Sequence, residues 1–85
     1  MHQVKTTFVI KISRANVASR FGRYVRIAVM EVEQGVTPKM ISPRAKGVIR
    51  VVRIWDRRHD GGNRSASARA LREAEELLQS LRANQ

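Results

Sequence analysis

The sequence predicts an α+β fold: a three-stranded antiparallel sheet in β-β-β-α order, with one C-terminal helix packed on one face. Three observations support it. Three β-branched segments precede a single segment of helical periodicity. The connections between the strands are too short for a packed helix. A chain of 85 residues holds one core, so residues 1–85 form a single small basic domain. Such a chain buries only about 60% of its unfolded surface, so modest stability or a partner copy is expected.

The first strand spans Val4 to Ile12, with Phe8, Ile10 and Ile12 on one side and Lys5, Thr7, Val9 and Lys11 on the other. Ser13 to Gly22 is a ten-residue connection with room for a single helical turn. Arg23 to Glu33 is the second strand, and apolar residues on both of its faces suit a central position. Val36 to Lys46 carries Pro38 and Pro43 and reads as a loop, with a short edge strand at Lys39 to Ser42. The third strand follows from Gly47 and runs to about Asp56 or Arg57. Strict alternation puts Arg50 beside Val48, Val52 and Ile54, and Arg53 beside Ile49, Val51 and Trp55. Asp60-Gly61-Gly62-Asn63 is turn chemistry. A helix from about Ser65 to Arg82 gathers Ala70, Leu71, Ala74, Leu77, Leu78 and Leu81 into one stripe. One helix covers one sheet face and leaves the other open.

Seventeen basic side chains against seven acidic ones give a net charge of +10. Thirteen of the seventeen are arginine, which forks onto phosphate in a way that lysine does not. Residues 1–26 hold six basic groups and no acid. A small domain of this charge has the electrostatic footprint of a polyanion binder. The expected contacts are Arg23, Arg26, Arg50, Arg53, Arg57 and Arg58 on the sheet, Arg20 in the first connection, and Arg64 and Arg69 at the helix start. Pairing β2 with β3 would bring Arg26 to Arg50, or Arg53 to Arg23. Cross-strand pairing with Glu31, Glu33 and Asp56 neutralises only part of this set. Arg64 and Arg69 oppose the helix macrodipole, a conflict that a bound phosphate relieves. The expected partner is therefore nucleic acid, with DNA and RNA both open, and no small-molecule substrate.

Phe21-Gly22-Arg23-Tyr24-Val25 lies near the RNP1 pattern of RNA-recognition motifs. Its register is off by one, and that fold needs a helix between its first two strands, so the reading fails. The β-β-β-α order is similar to the DNA-binding domains of some plant transcription factors and tyrosine integrases, a likeness of topology and not of motif. The alternative is a protein-interaction or assembly module, in homodimeric form, using a strand edge with Met30 and Met40.

No cofactor and no enzymatic activity are expected. There is no cysteine, and His2 and His59 do not form a pair at metal-ligand spacing. His59-Asp60 is at most a fragment of the acid–base pair of a small ribonuclease. Met1 to Thr7 is too polar for a signal peptide, and no apolar run approaches the ~20 residues of a membrane span. The expected location is the cytoplasm.

Overall fold

A computed structural model describes residues 5–16, 23–59 and 64–84. Strands β1 (Thr6–Asn16), β2 (Arg23–Glu33) and β3 (Val48–His59) are followed by helix α1 (Arg64–Ala83). The sheet is antiparallel in the order β1-β2-β3, so β2 is central and β3 is an edge. This is the expected α+β architecture. The turn expected at Asp60 to Asn63 and most of the first connection lie outside the described residues.

Strand β1 runs four residues past its expected end, because Ser13 to Asn16 pair with Arg26 to Arg23. Those residues carry no apolar stripe, and what holds them extended is the backbone ladder of the hairpin. β3 likewise reaches His59, paired with Arg23.

Helix α1 buries Ala70 and Ala74 against Ile27, Val29 and Trp55, with Leu71, Leu77 and Leu81 flanking them. Two alanines one turn apart let the helix backbone approach the sheet closely. At the far end of α1, Arg82 Nη2 donates to the Phe8 carbonyl at 3.0 Å. That contact ties the helix C-terminus to β1 and places a cation where the macrodipole favours one. α1 is not long and apolar enough to cross a membrane.

The alternation expected along β3 does not hold, because two bulges interrupt it. Val29 faces Arg53 while Met30 faces Val51, and Glu31 faces Arg50 while Val32 faces Val48. Val52 and Ile49 therefore have no opposite number on β2. Each extra residue shifts the parity of the residues beyond it. Arg50, Arg53, Trp55 and Arg57 thus lie opposite Glu31, Val29, Ile27 and Val25, all on the face that α1 covers. Val48, Val51, Ile54 and Asp56 take the other face.

That second face is not fully open either. Ala28, Met30 and Val32 are completely buried there, packed with Val9, Val48, Val51 and Ile41. Ile41 belongs to the loop 34–47, which folds back over one end of the sheet with Pro38 buried. A short strand at 39–42 does not form; the segment bends instead, since Ile41 is held by the sheet beneath it.

Three turns shape this loop. Val36 donates to the Glu33 carbonyl, Ala45 to Ser42, and Val48 to Ala45. The first and third have Gly35 (φ 88°) and Gly47 (φ 81°) at the third position, as a type II turn requires. Pro43 occupies the second position of the middle turn, where its fixed φ fits. Glu33 N donates to the Gly47 carbonyl at 2.8 Å and closes the loop against β2. A Cβ on Gly47 would overlap Val36 Cγ1 and stand 2.9 Å from Val36 Cγ2, on a backbone that L residues rarely adopt. Gly47→Ala should therefore cost about 1–3 kcal/mol, read as a lower denaturant midpoint. An unchanged midpoint would mean the turn is not type II.

Candidate nucleic-acid interface

The register sorts the expected arginines into different surroundings. Arg26 and Arg50, expected together, stand on opposite faces of the sheet. Arg26 forks onto Asp56 directly across the strand pair, with Nε–Oδ1 at 2.6 Å and Nη2–Oδ2 at 3.1 Å. Both side chains are about half exposed, at 50% and 42%. An ion pair this wet is worth about 0–1 kcal/mol. The hydrogen bond and the charge of Asp56 raise the Arg26 pKa further, so this cation stays charged throughout the working range.

Arg50 Nε donates to Glu31 Oε1 at 2.9 Å, and Thr6 Oγ1 donates to the other carboxylate oxygen at 2.8 Å. The Arg50 guanidinium also lies 5.9 Å from the centroid of the Phe8 ring. Donors from β1 and β3 thus converge on one acid of β2. The hydrogen bond from Arg50, then that from Thr6, holds the Glu31 carboxyl below its ordinary value of 4.5. The contribution of Glu31 to stability is complete above that ordinary value and is lost as the pH falls through the depressed one. Glu31→Gln should flatten the acid limb of the stability–pH curve. An acid limb identical to that of the parent chain would rule out this linkage.

Arg53 takes a third arrangement. Its guanidinium stacks over the Trp55 ring, 4.6 Å from the centroid, within cation–π range. The indole beneath is fixed at its edge, where Nε1 donates to Glu73 Oε2 of α1 at 2.9 Å. Arg57 Nη1 donates to the Asp56 carbonyl at 2.9 Å. Arg69 is exposed on α1. Arg23, Arg58 and Arg64 sit at element ends where only the backbone is described, and Arg20 lies outside the described residues.

Two ion pairs form among the described residues, and they engage Glu31 and Asp56. Arg53, Arg57, Arg69, Lys11 and Arg14 have no described carboxylate within 4 Å. Glu31 and Asp56 are acids expected to pair across the strands, and they do so with Arg50 and Arg26. Phe8, Thr6 and Glu73, which also orient the arginines or their supports, are not marked for that role by the sequence. They act from other elements, and their distances in the chain carry no signal. The stacking of Arg53 on Trp55, two residues on in the same strand, follows instead from their expected common face. Among the described residues no three His, Asp or Glu side chains converge as a metal site would require.

Comparison of the chain with protein-family models, with curated proteins and with solved structures finds no match, so function must be read from this geometry and charge.

Proposed function

We propose that this chain is a small basic module that binds nucleic acid through the phosphate backbone. The observation that carries the reading is the uncompensated charge: +10 overall, with only two described carboxylates engaged in ion pairs. Arginines left without an acid project from a rigid sheet and helix, and phosphate is the ligand their geometry suits. A titration against random duplex DNA, duplex RNA and single strands tests it. Binding should appear at about 50 mM salt and weaken steeply by about 200 mM, because each neutralised phosphate releases counterions. Absence of binding to all of them at the lower salt overturns the proposal.

One observation favours a second reading, that of an assembly module. Met40, Ile49 and Ile54 are large apolar side chains that stay 58%, 48% and 42% exposed. Ile49 and Ile54 both belong to the edge strand β3, which a second copy can approach. A dimer that resists high salt, seen by light scattering together with no retention on heparin, would support this reading over the first.

A further inference from the structure

Building on the phosphate-backbone reading, we infer that the helix-side border of β3, formed by Arg50, Arg53 and Arg57, is the line that grips the backbone of a nucleic-acid duplex without reading its bases. The bulge at Val52, which lies between Arg50 and Arg53, is what aligns these side chains with one another. Strict alternation would have put Arg50 and Arg53 on opposite faces.

Each of the three guanidiniums is held by a contact that leaves donors free. Arginine has five N–H groups. Arg53 presents its π-face to Trp55, and this stacking uses none of them. Arg50 commits Nε to Glu31 and keeps both terminal nitrogens. Arg57 commits a single hydrogen from Nη1. Arg26 differs, since its fork is closed on Asp56 and it stands on the opposite face. A side chain already immobilised loses less entropy on binding, so these three are prepared for an anion. Glu31 and Glu73 subtract charge from the line. Glu31 is already bonded at both oxygens and Glu73 at one, all by protein donors.

The spacing suits a polymer. Seven residues of strand span about 23 Å, slightly less with a bulge, while a duplex carries a phosphate about every 3.4 Å of axis on each strand. The described aromatic rings are closed to bases, because Trp55 is 2% and Phe8 6% exposed. Recognition of single strands relies on stacking, which these rings do not offer. About half or more of the hydrogen bonds in protein–DNA interfaces go to phosphate and sugar, which guanidiniums reach without entering a groove.

The test compares two triple variants of equal charge, both reducing +10 to +7. One is Arg50→Gln, Arg53→Gln and Arg57→Gln; the other is Lys39→Gln, Arg44→Gln and Lys46→Gln in the loop. Anisotropy of a labelled random duplex reads affinity and its salt slope, and circular dichroism checks folding. The β3 triple should lose roughly tenfold for each contact and drop the slope by about 2.7, while the loop triple changes both far less. Equal losses in the two triples would overturn the inference and leave the phosphate-backbone reading standing. No binding by the parent chain would remove both. Should the β3 triple fail to fold, Arg53→Gln alone serves, with roughly a tenfold loss and a slope change of about 0.9 expected; an unchanged affinity and slope would overturn the inference. A duplex should also bind more tightly than a single strand, and an abasic single strand as well as a normal one. Tighter binding to normal single strands, or to polyglutamate, than to the duplex would overturn the inference.

Discussion

Trp55→Ala is expected to remove about 3–5 kcal/mol of stability, the usual cost of deleting a large aromatic ring from a core. For a chain of this length total stability is about 4–13 kcal/mol, so the variant approaches the unfolding threshold. The ring is 2% exposed and lies among Ile27, Val29, Ala70 and Ala74, where sheet and helix meet. Its loss would also strip Glu73 of the indole donor and Arg53 of the surface it stacks on. Trp55→Phe should fall between the two, since it keeps most of the apolar volume and loses the N–H. Thermal denaturation reads the result, with the midpoint lowered by at least about 12 °C for the alanine variant. A shift of only one or two degrees would show that the sheet and helix do not depend on this ring.

How much of this fold the sequence discloses depends on how local each cause is. β2 is legible from end to end because a central strand is apolar on both faces, and Arg23 and Glu33 mark its limits. The stripe of α1 is legible for the same reason, since one element alone carries its period. Parity along β3 is not. Val-Ile-Arg-Val-Val-Arg-Ile-Trp offers several registers to a reader counting by twos, and only pairing with β2 selects the one with Val52 and Ile49 left over. The consequence for the site is direct. The surplus of arginine is visible in composition, but whether Arg50 shares a face with Arg53 and Arg57 is decided by one unpaired residue, Val52. Partners such as Glu31 for Arg50, nineteen positions away, and Glu73 for Trp55, eighteen away, follow from the same tertiary choice.

The second face of the sheet is where expectation and structure differ most, and one pair of substitutions measures that difference. Met30 has no exposed surface and lies with Ala28 and Val32 beneath the loop that carries Ile41. An open face would tolerate a charge there. Met30→Asp should instead be severely destabilising, because about 1.5–3 kcal/mol of apolar burial is lost and a carboxylate is placed among Ala28, Val32, Val9, Val51 and Ile41. Ile54→Lys lies on the same face but further along, at a position already 42% exposed beside the Arg26–Asp56 pair. It should cost under about 1 kcal/mol, since a lysine stem can cover the same surface and keep its head in water. The pH dependence separates burial from a general effect of charge. Burial would raise the pKa of the carboxyl that Met30→Asp introduces, so its penalty should shrink as the pH falls toward the ordinary aspartate value of about 3.9. Denaturant midpoints for both variants and the parent chain, taken at neutral and acidic pH, read all of this. If the two variants prove equally mild, loop 34–47 does not close over the sheet in solution, and the second cluster contributes nothing to holding the fold together.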